Sequence, residues 1–404
     1  MRAALDLARL ARKTRIVLID RNPYHIFTSD LYELAGAFLP GRKLSGRDDF
    51  LKLRSAAAIP FEDIFRKYPN VEVKTGEVRG IDFAKKEVRT DAEKINYDFL
   101  ILALGSQTNF FGIHNLSEKS FELKSIDDVL NIRAALEEEF TSRGKQEVIS
   151  IVIGGGGFTG CELAGELALS ARILAKSYGH PVENLSIVIL EGSDRLLPSA
   201  HPWISEKAKI RLESLGVKVR LGSLVADVTE REAILKDKPP QPYHLLIWTA
   251  GVRANSLAEN ARGLKLEKNK CVAVDQNLRS VSYPDVFVIG DLAYCLSPGA
   301  KAPLPMTAQV AMDQGRYAAN YLASKLDGRS ASRRIADFHP KIWRFLIPLG
   351  GKYALADLGF IKLSGFIPWA MKRFAALRYF LSILPFGKAL SLWWRGLRIF
   401  TQND

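Results

Sequence analysis

Two stretches of the chain recur at one offset. "VEVKTGEVRGIDF" at 71 aligns with "VKVRLGSLVADVT" at 217, and "YDFLILALG" at 97 aligns with "YHLLIWTAG" at 243, each pair 146 residues apart. A shared offset marks a duplication, so the chain must fold as two versions of one supersecondary unit. In each copy a small meander of strands leads into a strand that ends at a glycine, Gly105 or Gly251.

Short β-branched runs name the rest of the unit. They are "RIVLID" (15–20), "FLILALG" (99–105), "VISIVIGGGG" (148–157), "SIVILE" (186–191), "LLIWTAG" (245–251) and "VFVIGD" (286–291). Continuous apolar strands of this kind are buried on both faces, as in parallel sheets. Helical stretches at 4–13, 161–177 and 205–214 alternate with them, which predicts a doubly wound α/β architecture with two Rossmann-like dinucleotide-binding domains.

The second copy carries its chemistry in full. "IVIGGGGFTGCELAGEL" sets Gly155, Gly157 and Gly160 in GxGxxG spacing between a strand and a helix. The first glycine permits the turn, the second admits a pyrophosphate and the third allows close helix packing, with the helix N-terminus attracting the charge. Glu191 ends the next strand, where a carboxylate accepts bonds from an adenosine ribose and repels a 2′-phosphate. NADH is therefore favoured over NADPH.

The first copy should hold the other dinucleotide. Asp20 ends its strand as Glu191 ends its own, and a glycine loop belongs roughly 20 residues upstream of such an acid. That places the loop and its strand ahead of Met1. The expectation is that the chain as written binds FAD weakly or not at all, and that adding the segment restores it. A further strand, in "YPDVFVIGDLA" (283–293), ends in Gly290 and Asp291 and can bring an amide and a carboxylate to a phosphate and polyol region.

Charge asks for an anionic partner. Lys and Arg number 57 against 44 Asp and Glu, a formal +13. Such an excess suits nucleic acid, a membrane surface or a phosphorylated cofactor. From Lys362 to the end the chain has seven Lys or Arg and one acid. Pro368 and Pro385 divide this tail into candidate helices at about 369–383 and 387–400. Trp369, Phe374, Leu377, Phe380, Leu381 and Leu384 supply an apolar side, and Lys372, Arg373 and Arg378 interrupt any spanning reading. Trp393 and Trp394 stand beside Arg395 and Arg398. This composition suits helices lying in the headgroup plane with cations on anionic lipid. No basic recognition module appears elsewhere, which argues against nucleic acid. The apolar content of 47% marks a globular chain, no apolar h-region opens it, and no uncharged run reaches the ~18 residues of a membrane span. Cys161, Cys271 and Cys295 lie far apart and offer no disulfide framework, metal site or redox pair.

The paired nucleotide units, "YDFLILALGSQTNFFGI", "GGGGFTGCELAGEL", "TAGV", "VFVIGDLA", "AQVAMDQG" and the aromatic basic tail resemble the type II NADH:quinone oxidoreductases, single-chain, non-pumping NADH dehydrogenases. The resemblance implies FAD in the first domain and NADH in the second, with hydride passing to the flavin and two electrons onward to a quinone. It places Asp20 at the FAD adenosine ribose, Asp291 at the ribityl and pyrophosphate region, and Ala103 to Gly105 on the flavin side. Gln309 falls near the flavin where quinone docks, and Glu162 near the nicotinamide. Asp313 stands where the family commonly has a second Gln, with Gln314 beside it. A carboxylate there relays protons or faces solvent, on the same helix face as Gln309.

The domains expected are an FAD-binding part at 1–113, an NADH-binding domain at 114–273, a second FAD part at 274–330 and a C-terminal membrane-binding region at 331–404. The expected place is the cytoplasmic side of the cell membrane, peripheral, with the oligomeric state open between monomer and homodimer. Two alternatives stand: a sulfide:quinone oxidoreductase, which needs redox cysteines, and a non-catalytic NADH-binding sensor.

Overall fold

The computed structural model describes residues 1–38, 47–297, 300, 302–326, 336–340 and 345–402. The elements that position the site are, in chain order, helices α1 (Arg2–Leu10), α2 (Leu31–Gly36), α3 (Phe158–Tyr178), α4 (Ala308–Leu326), α5 (Phe366–Ile383) and α6 (Phe386–Phe400). The strands are β1 (Ile16–Asp20), β2 (Val71–Thr75), β3 (Leu100–Leu102), β4 (Ile149–Gly154), β5 (Leu185–Leu190), β6 (Val217–Arg220), β7 (Leu245–Trp248) and β8 (Val286–Val288). All six apolar runs form strands where the sequence places them.

The chain divides into two compact units. The first holds Met1–His25, Ile59–Gln107 and Val252–Trp343; the second holds Ile26–Ala58, Thr108–Gly251 and Arg344–Asp404. These boundaries differ from those expected at 113 and 273, and the one expected at 330 lies outside the described residues. Ile26–Ala58 joins the second unit because α2 packs on α3.

In the second unit the parallel sheet runs β6-β5-β4-β7. Every residue of β4 and β7 is buried, as is most of β5, so uninterrupted apolar sequence is what the sheet demands. An antiparallel meander of Val225–Val228, Glu232–Leu235 and Gln241–Pro242 precedes β7. A second one, Phe345–Pro348, Ala354–Asp357 and Lys362–Gly365, leads into α5. Pro368 sits inside the first turn of α5, where its missing N–H costs nothing, and Pro385 caps α6.

The first unit repeats this plan with one difference. Its meander is Val78–Asp82, Glu87–Thr90 and Lys94–Asn96. Its parallel strands form two separate pairs, β1 with β2 and β3 with β8. The repeat equates β2 with β6 and β3 with β7, and β1 answers to β5 by its pairing with β2 and its acidic end. Among the described residues, no strand joins the two pairs as β4 joins β5 to β7. Val17, Leu18 and Ile19 of β1 are accordingly only half-buried, as are Leu100 and Ile101 of β3, contrary to the expectation that these strands are covered on both faces. Helix α1 packs on α4, and Gly315 makes the crossing close: a Cβ there would lie 3.3 Å from Ala3 N.

Candidate functional site

In the second unit the chain leaves β4 at Gly154 and enters α3 through the glycine loop. Each motif glycine answers a different constraint. Gly155 has φ +105°, and a Cβ on it would stand 2.4 Å from Ala250 Cα. A Cβ on Gly160 would meet the Gly155 carbonyl oxygen at 1.9 Å. Around Gly157, the N-cap of α3, a Cβ would meet nothing within 4 Å. Two glycines are thus required by packing, and the third leaves open space over a helix N-terminus, where an anionic pyrophosphate is favoured.

Glu191, directly after β5, is tied to that loop. Its Oε2 accepts from Gly156 N at 2.7 Å and its Oε1 from Ser193 N at 2.7 Å. A carboxylate has lone pairs to spare, so these bonds orient it and leave capacity for ribose hydroxyls. Thr249 Oγ1 donates to Gly154 O at 3.0 Å and joins the end of β7 to the loop. Gly251 follows, its carbonyl accepting from Asn109 N at 3.0 Å. The Phe111 ring is so close that a Cβ on Gly251 would lie 2.7 Å from Cζ.

Glu162, the fifth residue of α3, keeps part of its surface open. Burial pushes its carboxyl up to about 8; Lys372 opposes the shift, while Glu33 and Asp30 add to it. Sequence reasoning placed Glu162 near the nicotinamide and missed these neighbours. Arg373, counted among the lipid-facing cations, is instead buried against Glu33. Phe380 and Leu384 of the expected apolar side are buried too, whereas Phe374 and Leu381 are exposed.

The first unit gathers its own set at strand ends. Asp20 closes β1, accepts from Asn22 N at 2.9 Å, and is raised above its ordinary value chiefly by burial. Ala103 and Gly105 follow β3. Gly105 has φ +71°, its carbonyl accepts from Asn255 N at 3.2 Å, and a Cβ on it would meet nothing within 4 Å. β8 runs into Gly290, also at φ +71°, and Asp291. Ser106 Oγ donates to Asp291 Oδ2 at 2.7 Å, which ties the ends of β3 and β8 together.

Gln309 is exposed in the first turn of α4. Asp313, one turn on, accepts from Arg316 Nη1 at 3.0 Å and is an ion-paired carboxylate. Its neighbour Gln314 is the residue sequence reasoning passed over. It is buried, and its Oε1 accepts from Gly290 N at 2.6 Å. A polar residue five positions after Gln309 turns to the inner side of the helix, the only signal that marked it.

The open, left-handed Gly105, the Gly290–Asp291 end and the half-buried Asp20 suit a dinucleotide with a polyol. A family profile described as pyridine nucleotide-disulphide oxidoreductase matches residues 1–315. The chain belongs to that family. Among relatives of this oxidoreductase, the type II NADH:quinone oxidoreductase of Staphylococcus saprophyticus is 29% identical over 328 residues, 79% of this chain and 77% of that one. The solved structure of NDH2 from Plasmodium falciparum in complex with NADH shares the fold at TM-score 0.82 and 20% identity, covering 98% of this chain and 95% of that one. The sulfide:quinone oxidoreductase of Aquifex aeolicus shares it at TM-score 0.74 and 18% identity, covering 94% and 87%.

The oxidoreductase's three cysteines are free and buried. Cys161 Sγ donates to Gly156 O at 3.3 Å. Burial raises all three thiols, Cys271 and Cys295 to about 11. A thiol held protonated and enclosed is a poor nucleophile, so disulfide chemistry of the kind in the family's name has no evident agent here. Among the described residues no cluster of metal-ligating side chains occurs.

Proposed function

We propose that the protein is a type II NADH:quinone oxidoreductase with FAD as its cofactor. The observation that carries this reading is a pair of different strand-end constellations in one duplicated chain, each suited to a dinucleotide. One is the open Gly157 loop tied to Glu191. The other is Asp20 with the Gly290–Asp291 end. When bound, FAD accepts hydride from NADH and delivers two electrons to the quinone.

The chain's own residues bind and orient. The amide at Gly157 and the N-terminus of α3 take the NADH pyrophosphate, and Glu191 accepts from the adenosine ribose while repelling a 2′-phosphate. Glu162 lies near the nicotinamide. Asp20 holds the FAD adenosine ribose, Asp291 the ribityl and pyrophosphate region, and Ala103 to Gly105 line the flavin side. Gln314 holds the Gly290 amide and so sets the turn that presents Asp291. Gln309 approaches the quinone, with Asp313 and its partner Arg316 behind it on the same helix.

The tail supports a peripheral place on an anionic membrane. Among the described residues no helix is long and apolar enough to cross one. α5 exposes Phe366, Ile367, Phe374 and Leu381, and α6 exposes Phe386, Leu390 and Trp394 at every fourth position. Large apolar side chains left in water along two successive helices, with Lys388, Arg395 and Arg398 beside them, fit a lipid interface on the cytoplasmic face.

The test is purified protein reconstituted with FAD. NADH oxidation that depends on menadione or a ubiquinone analogue is expected, and its absence with FAD demonstrably bound overturns the reading. Quinone reduction driven by sulfide but not NADH would favour the alternative, which the buried thiols oppose.

A further inference from the structure

The second unit buries more acid beside α2 than its cations neutralise. Asp30, the N-cap of α2, is 3% exposed and Glu33 is 4% exposed. Arg373 of α5, 6% exposed, donates Nη1 to Glu33 Oε2 at 2.8 Å and Nη2 to Oε1. Tyr32 Oη also donates to Glu33 Oε1, at 2.9 Å. Both oxygens of Glu33 are thereby satisfied. Asp30 Oδ1 is buried with no hydrogen-bond partner, and so is Arg373 Nε.

The charged groups that act on Asp30 come from each packed element. Glu33 lies on α2, and Lys372 and Arg373 lie on α5. Glu162 of α3 feels Asp30 in turn. Glu166, a turn further along α3, lies against Gly36 at the far end of α2. Arg133, from the helix Ile126–Ser142 that also packs on α2, donates to Leu34 O at 3.1 Å and to Ala37 O. Asp30, Glu33 and Glu162 thus face Lys372 and Arg373, and the fully ionised set is one negative charge in excess. An unpaired buried charge is costly, and binding a proton is the ordinary way a protein removes it.

We infer that Asp30 is a proton-holding residue of this pocket, which keeps one proton at neutral pH on the two carboxyls that Arg373 does not grip, Asp30 and Glu162. The orphan oxygen supports the assignment, because a carboxylate with an unmatched buried oxygen gains most by becoming a neutral acid. The direction of both shifts agrees: burial raises Asp30 to about 7 and Glu162 to about 8. Glu162, with part of its surface open, is the route for exchange with solvent.

A use for the proton rests on the proposed function. Reduction of a quinone by NADH balances as NADH, quinone and one proton giving NAD+ and quinol. The hydride brings one hydrogen and both electrons, and the other hydrogen must come as a proton, which a carboxyl that holds one at neutral pH and refills from solvent can release.

Infrared difference spectroscopy of the full chain, titrated across neutral pH without NADH or quinone, reads the proton directly. A protonated-carboxyl C=O band should fade as pH passes about 7 to 8, and Asp30→Asn should remove or shift it. Asp30→Ser is a second variant, and either one that keeps the native melting transition suffices. No such band in the parent protein, or a band untouched in a folded Asp30 variant, overturns the proposal. The band needs no turnover, so its presence beside failed NADH:quinone activity would sink the functional reading and leave the pocket standing. In active enzyme the same variants should move the pH profile of kcat and leave the KM for NADH within about twofold, whereas a merely structural role leaves the profile in place.

Discussion

Arg373 of α5 and Glu33 of α2, 340 residues apart in sequence, close on each other in a two-point ion pair sealed from solvent, with Nη1–Oε2 at 2.8 Å. Trp393 Nε1 of α6 donates to the Arg373 carbonyl at 2.8 Å, so one residue fastens both tail helices. Removing one member strands the other. Arg373→Leu should cost roughly 3–5 kcal/mol, while the double change Glu33→Leu with Arg373→Leu should recover most of it. Denaturant melts of the two single variants and the double variant check this.

Asp30 makes stability depend on pH with a defined sign. Its carboxyl is raised from 3.8 to about 7, first by burial and then by Glu33. The folded protein therefore binds this proton more tightly than the unfolded chain does. As pH rises the unfolded chain loses its proton first, so the contribution of Asp30 to stability falls between about 4 and 7 and is level outside that window. Melts of the parent and of Asp30→Asn across that range should diverge in favour of the variant as pH rises. Parallel curves would contradict this.

The motif glycines separate binding from folding. Gly157→Ala puts a methyl where nothing stands within 4 Å, so the melting temperature should hold while NADH affinity drops by roughly tenfold or more, since the pyrophosphate is pushed from its amides. Gly160→Ala drives a methyl onto the Gly155 carbonyl and should destabilise by several kcal/mol, roughly the cost of overpacking. Thermal melts and an NADH titration of each variant distinguish the two roles.

Membrane attachment should follow the exposed aromatics. Replacing Phe374, Phe386 and Trp394 with Ser removes three large side chains that lie 63%, 71% and 55% exposed. Sedimentation with anionic vesicles should fall roughly tenfold or more, because each such side chain contributes about 1.5–3 kcal/mol on burial. Unchanged binding would locate the contact elsewhere.

What the sequence by itself determined was whatever is written locally or by repetition. The six apolar runs became strands because apolar, β-branched stretches of that length fit a pleated sheet, although Val17–Ile19 and Leu100–Ile101 stay half-buried. Gly155 and Gly160 were legible because a turn at positive φ and a helix pressed on a carbonyl tolerate no side chain. Glu191 followed from its place at the next strand end. Tertiary structure decided what no local pattern encodes. Arg373 reads in sequence as one more cation in a basic tail, and only the packing of α5 on the second unit turns it inward to Glu33. Gln314 reads as the neighbour of Asp313, and only the helix's rotation brings it to the Gly290 amide. A charge is worth little in water and a great deal when buried, and which faces become buried is settled between segments hundreds of residues apart.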